Sequence, residues 1–231
     1  MSRLFVTGDT HRTVDIKKLV KLANTYKLTK EDYVVILGDF GAIWEVYGSK
    51  ENEDYLQMYE DMPWTTLWID GNHENFDAIE QYPVEDWNGG KIHRVSPTVI
   101  HLIRGQVFTI CDKKIFTMGG GTSIDKHLRQ NHISWWRQEI PNTKEFNIAI
   151  DNLEANDNKV DLIFTHSCSR DIERKIYGGN LKYPDELNGF FEFLKEDIKV
   201  EYKHWYFGHH HIDKDIDEKH TCLYNTFREI I

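Results

Sequence analysis

Five apolar runs in this chain end on the same kind of residue, and that recurrence constrains the fold more than any other feature. Leu4-Phe5-Val6 leads into Thr7-Gly8-Asp9-Thr10-His11, and Tyr33-Val34-Val35-Ile36-Leu37 into Gly38-Asp39. Thr65-Thr66-Leu67-Trp68-Ile69 leads into Asp70-Gly71-Asn72-His73-Glu74, residues 160–164 into Thr165-His166, and residues 203–207 into Gly208-His209-His210-His211. Short β-branched and aromatic runs bounded by glycine read as buried strands. Strands that each deliver Asp, Asn or His at their ends bring those groups to one sheet edge, where open α/β sheets bind ligands. Any one of these residues alone would be an ordinary turn residue. The convergence of all of them carries the argument.

Between the runs, Ile16, Leu19, Val20 and Ala23 have the spacing of a core-facing helical stripe, and residues 51–61 read as a second helix. Strand, helix, strand, helix, strand predicts a parallel sheet with helical crossovers. From Lys91 the texture changes: residues 91–95, 99–102, 106–110 and 114–118 read as an antiparallel meander that extends or faces the first sheet. Gly119-Gly120-Gly121 breaks it, and an irregular polar and aromatic loop runs to about Pro141. Phe146, Ala149, Ile150 and Leu153, then Leu187, Phe190, Phe191 and Leu194, mark two further helices, and residues 213–217 with 221–228 a closing hairpin. No repeat, low-complexity tract or linker intervenes, which predicts one α/β domain over residues 1–231.

The 231 residues are 40% hydrophobic and 29% charged, a soluble globular composition with enough chain for a substantial core. No run nears the roughly 18 apolar residues of a membrane span. Met1-Ser2-Arg3 leads straight into a strand, so no signal peptide is expected. Cys111, Cys168 and Cys222 are odd in number and unpatterned, which points to a reducing cytoplasm. A net charge of −10 disfavours extended nucleic acid as a partner. Small phosphorylated substrates remain, with bound cations supplying the positive charge the surface lacks. Nothing in the composition fixes the oligomeric state.

The strand-end donors are Asp9, His11, Asp39, Asn72, His166, His209 and His211. In an extended segment residues i and i+2 share a face, which pairs Asp9 with His11 and His209 with His211. Mixed carboxylate, amide and imidazole donors suit Mn, Fe, Zn or Co. Seven donors exceed the four of a structural zinc and suit a dinuclear site sharing one carboxylate. Cations about 3.5–4 Å apart clamp the attacking and leaving oxygens of a displacement at phosphorus and make hydroxide available near neutral pH. His73, beside Asn72, suits protonation of the leaving oxygen. Arg12 and Arg129 offer fork-shaped donors for the non-bridging phosphate oxygens. Trp135-Trp136 is the tryptophan pair placed to line a pocket, the others reading as core. His93, His101, His127, His132, His204 and His220 match no motif and read as half-buried or solvated.

Asp-x-His, Gly-Asp, Gly-Asn-His-Glu, a lone strand-end His and Gly-His-x-His, in this order from about Leu4 to His211, resemble the calcineurin-like metallophosphoesterase family. The resemblance implies a two-sheet β-sandwich flanked by helices, the metallo-dependent phosphatase-like fold. It implies one metal on Asp9, His11, Asp39 and His211, and another on Asp39, Asn72, His166 and His209, with Asp39 bridging. The implied cofactor is two divalent transition-metal ions, manganese first, with iron, zinc or cobalt also admitted. The implied reaction is phosphoester hydrolysis by a metal-bridging hydroxide, with His73 as leaving-group acid and His210 turned to the opposite face. Gly38-Asp39-Phe40-Gly41 lacks the Asp-Arg-Gly extension of the protein Ser/Thr phosphatase branch, and Arg12 stands where that branch has glycine. His166 has no second His beside it. A phosphorylated small molecule or nucleotide, monoester or diester, is therefore favoured over a phosphoprotein. Two other readings are a non-catalytic scaffold of the same fold, against which the intact donor set argues, and a nuclease acting on nucleic-acid ends, against which the acidity argues.

Overall fold

The computed structural model describes residues 2–182 and 184–231. The first strands are β1 (Leu4–Thr7), β2 (Tyr33–Leu37) and β3 (Thr65–Ile69), parallel neighbours joined through α1 (Lys17–Thr25) and α2 (Lys50–Glu60). Both faces of these strands are covered, which is why they read as continuous apolar runs. Ser49 starts α2 by accepting a hydrogen bond from the Asn52 amide. The stripe on α1 is rotated from the expected one: Lys18, Leu19 and Leu22 are buried, while Val20 is exposed. The Lys18 ammonium turns inward to donate to the carbonyls of Asp9 and Tyr224, and that sets the inward face.

After α3 (Phe76–Ile79), the strands β4 (Val84–Trp87), β5 (Gly90–Ser96) and β6 (Val99–Leu102) extend the same sheet, β6 running parallel to β3. The expected meander thus splits. β7 (Gln106–Ile110) and β8 (Lys113–Met118) form a hairpin in a second sheet, reached through a turn in which Gly105 has φ +70°. α4 (Thr143–Glu154), β9 (Leu162–Thr165), α5 (Arg170–Ile176), α6 (Glu186–Glu196) and β10 (His204–Phe207) follow. Capping boxes at Asn142/Glu145 and Asp185/Asn188 start α4 and α6. The short elements β4 and α5 were not legible as such. The closing hairpin is β11 (Lys214–Asp217) with β12 (His220–Cys222), but β13 (Phe227–Glu229) leaves it and pairs antiparallel with β1.

The sheet orders are β13-β1-β2-β3-β6-β5-β4 and β11-β12-β10-β9-β8-β7. Alternation along each strand sorts the side chains into three cores. Val6, Val35, Leu67 and Ile69 meet Phe108, Ile115 and Phe164 between the sheets. Phe5, Ile36 and Trp68 pack outward on Leu19, Leu56 and Tyr59, and on the other side Phe116, Ile163 and Trp205 pack on Leu153, Ile172 and Phe191. The result is the expected α/β architecture, two sheets flanked by helices. Trp136 is fully buried and its indole donates to Asp77 (2.7 Å), so it belongs to the packing rather than to a pocket wall. No helix among the described residues is long and apolar enough to cross a membrane.

His93 and His101 also depart from expectation, since both are buried. Their Nδ1 atoms lie 3.0 Å apart, and His101 reaches Asp70, which also accepts from Arg104 Nε at 2.7 Å. Burial alone would raise Asp70, but Arg104 and His101 hold it down at about 2; burial, aided by His101, pushes His93 down to about 3. Both groups therefore bind fewer protons folded than unfolded, and acid destabilises the fold. The His93 contribution is complete above its ordinary value of 6.5 and drains as pH falls toward 3. That of Asp70, about 2 kcal/mol, is complete above roughly pH 4 and lost near pH 2. Urea unfolding should show stability falling between about pH 6.5 and 4, and His93→Gln should flatten that slope. An equal slope in the variant would assign it elsewhere.

Candidate metal centre

The ends of β1, β2, β3, β9 and β10 open on one edge of the sandwich, but four of the seven donors they deliver do not sit on extended chain. His11, Asp39, His209 and His211 have φ of 43°, 47°, 63° and 51°. The i, i+2 reasoning for Asp9 with His11 and His209 with His211 is therefore corrected: left-handed turns, not strand alternation, bring these donors round. Such backbone costs about 1 kcal/mol or more per residue and persists where the surroundings over-determine it. Here the Thr10 and His11 amides both donate to the Asp39 carbonyl, at 3.1 and 2.8 Å. The Glu74 carboxylate accepts from the Phe40 and Gly41 amides at 2.7 and 3.1 Å, fixing the turn that carries Asp39. Gly71 is required by approach: a Cβ there would fall 2.3 Å from the Asp39 nitrogen.

Asp9, His11, Asp39 and His211 each present one ligand atom, and these atoms all lie within 4.8 Å of one another. Asn72, His166 and His209 adjoin this cluster through Asp39. His166 Nε2 is 3.0 Å from Asn72 Oδ1 and 3.4 Å from Asp39 Oδ1, and the rings of His166 and His209 are 4.8 Å apart. His73 stands at the rim, its ring 5.7 Å from that of His11 and its amide donating to Asp39 Oδ1 at 2.8 Å.

The donor set fits cations. His166 Nδ1 lies 2.7 Å from the Leu37 carbonyl, which can only accept, so Nδ1 carries the proton. Its Nε2 lone pair then faces two oxygens, while the Asn72 amide nitrogen is turned away to donate to Ser123 Oγ at 3.0 Å. His11 repeats the pattern: Nδ1 donates to Asp15 at 2.8 Å, and Nε2 faces Asp39 Oδ2 at 3.2 Å. Lone pairs aimed at one another call for a positive charge between them, a proton or a metal. Burial alone would lower His11, yet the carboxylates of Asp39, Asp9 and Asp15 raise it to about 9. Burial would raise Asp39, and the surrounding His166, His11 and His73 hold it well below the usual carboxylate range.

Several supporting residues carried no motif. Asp15 sits four residues after His11, the helical neighbour spacing, which is a usable signal. Ser123, the Leu37 carbonyl and Tyr224, stacked on His211 at 4.4 Å, could not be found that way. His210 is not one of the four clustered donors: it is buried against Cys168 Sγ (3.3 Å) and Tyr177 Oη (3.0 Å), and it lines the same cavity as His209 and His211 instead of facing the opposite way. Arg129 Nη1 lies 2.9 Å from His73 Nδ1 and the same guanidinium pairs with Asp125, whereas Arg12 faces Glu51 and Glu45 at 3.1 and 3.4 Å.

A cavity of about 300 Å³ opens over Asp39, Asn72, His73 and His211, and another of about 320 Å³ lies against His73. A larger one, about 480 Å³, sits at the opposite edge of the second sheet among Lys114, Asp161 and Lys203, and no candidate donor lines it. Among curated proteins, no sequence matches the chain closely enough to count as a relative. The profile of the calcineurin-like phosphoesterases matches residues 2–213. With that match over nearly the whole chain, and with the helix-flanked double sheet and the acidic-imidazole cluster at its edge, this chain belongs to the calcineurin-like phosphoesterase family, metal-dependent hydrolases of phosphoester bonds.

Proposed function

We propose that residues 1–231 act as one catalytic domain that hydrolyses a phosphomonoester or phosphodiester of a small molecule or nucleotide, using two divalent ions, manganese first. One observation carries the reading: the Nε2 atoms of His11 and His166 converge on the two oxygens of Asp39, 3.2 and 3.4 Å away. Asp9, His11, Asp39 and His211 would hold one ion, and Asp39, Asn72, His166 and His209 the other. Bound there, such ions polarise phosphoryl oxygens and acidify water.

The protein's own groups account for the remaining steps. His73 passes a proton to the leaving oxygen from the rim of the cavity. Arg129 is the guanidinium candidate for the non-bridging oxygens, whereas Arg12, already ion-paired with Glu45 and Glu51, is not. Arg129 is the nearer to the acid, and a phosphoryl anion entering the cavity competes with His73 for it. Drawn to the anion, the guanidinium leaves Nδ1 free to be protonated, so the ring can serve as an imidazolium acid. The cavity, about 300 Å³, has the size of a small-ligand pocket rather than a groove for a folded partner.

Elemental analysis of the purified protein, with a panel of phosphomonoesters and phosphodiesters and added Mn, tests the reading. Two equivalents of metal and turnover of one class are expected. A protein that binds no divalent metal, or cleaves neither class, would sink it. Asp15→Ala should weaken Mn binding about 10–100-fold, since His11 loses the partner that orients its ring. Calorimetric titration measures this, and unchanged affinity would remove Asp15 from the account.

A further inference from the structure

The second cavity is walled almost wholly by planar groups. Its lining residues are His11, Arg12, Gly41, Trp44 and His73, so two imidazoles, a guanidinium and an indole surround it, and the fifth residue has no side chain. His73 lines this cavity and the donor-bearing one alike. An acid that protonates a leaving oxygen must touch it, so the body of the leaving group lies against His73. On the side away from Asn72 and His209, the space available is this cavity.

The walls are held in place before any ligand arrives. The half-buried Trp44 is fixed by its backbone, its amide donating to Asn52 Oδ1 at 3.1 Å and its carbonyl accepting from Asn75 at 2.7 Å. Its indole meets the edge of Trp136 at 5.5 Å and 83°. The Arg12 guanidinium lies 5.7 Å from the Trp44 ring centre, donates to the Gly41 carbonyl at 3.2 Å, and is ion-paired with Glu45 and Glu51. With its charge met by two glutamates, Arg12 presents a flat face rather than an anion trap. A second phosphate has nothing to bind there, whereas a neutral planar ring finds faces on which to stack.

We propose that this cavity is the leaving-group subsite and that it selects phosphodiesters whose leaving alcohol carries a planar aromatic ring, with Trp44 as the specificity-determining residue. The proposal rests on the reading of His73 as the leaving-group acid. Stacking of a ring on an aromatic side chain is worth about 1–3 kcal/mol, or roughly 5- to 150-fold in kcat/KM.

The test compares methyl phosphodiesters of benzyl alcohol, cyclohexylmethanol and the 5′-hydroxyl of thymidine on the Mn-loaded protein. Benzyl and cyclohexylmethyl match in size, and both are alkyl alcohols, so their ratio isolates planarity. The wild type should prefer benzyl by at least about 5-fold. Trp44→Leu, which keeps bulk without the plane, should bring the ratio near one, and Trp44→Phe should keep most of it. Thymidine above benzyl would identify a nucleobase as the ring, and benzyl above thymidine a simple aryl group. Wild-type turnover of all three without preference overturns the subsite alone, as does an undiminished ratio in Trp44→Leu. Failure to cleave any of them, by a protein that binds its metal, also overturns the subsite, and failure on phosphomonoesters as well counts against the reading of the site as a phosphoesterase. Thermal melting confirms that both variants fold.

Discussion

His73→Ala should lower kcat on an alkyl phosphodiester by about 10²–10⁴-fold while leaving the bound metal content unchanged. Two features of the site separate these outcomes. The His73 ring lies outside the tight cluster of Asp9, His11, Asp39 and His211, so its loss removes none of those donors. It lines the rim of both cavities, where a departing alkoxide needs its proton. The defect should shrink for a p-nitrophenyl ester, whose leaving group is stable without protonation, and that dependence marks the loss of an acid rather than a general loosening. Normal turnover of an alkyl diester by the variant would remove His73 from the mechanism.

Asp39→Ala should be more damaging, because one side chain serves both halves of the site. Its Oδ2 faces His11 at 3.2 Å, and its Oδ1 faces His166 at 3.4 Å while accepting from the His73 amide at 2.8 Å. The fall in metal affinity should exceed the 10–100-fold expected for an outer-shell partner. In the wild type, Mn at a hundred times its Kd should add about 2.7 kcal/mol of stability. For a chain of this size that is a rise of about 5–10 °C in Tm. The alanine variant should lose most of that rise together with its activity. Asp39→Asn is the companion variant, since it keeps an oxygen for the His73 amide and removes the charge. A full thermal response to Mn in both variants would place the cations elsewhere.

Much of this was legible because burial writes itself into local sequence. β2 and β3 are covered on both faces, so their apolar runs coincide with the observed strands. The stripes of α4 and α6 face one core, so helical spacing found them. Failures came where a long-range contact outweighed periodicity. Val20 lies outside because the Lys18 ammonium points in, and Trp136 is core because its indole N–H donates to Asp77. Trp44, with no pattern to distinguish it, lines the cavity instead.

By itself the sequence determined the strand-end donors, their order and the presence of a further imidazole, His73, beside them. Those are chemical identities, and chemistry is carried by residue type. The tertiary structure decided how the donors meet. Left-handed turns at His11, Asp39, His209 and His211 aim their side chains, and the Leu37 carbonyl, Asp15 and Ser123 choose which atom of His166, His11 and Asn72 faces inward. Backbone handedness and hydrogen bonds between residues as far apart as Leu37 and His166 leave no local trace, because they exist only once both sheets have packed.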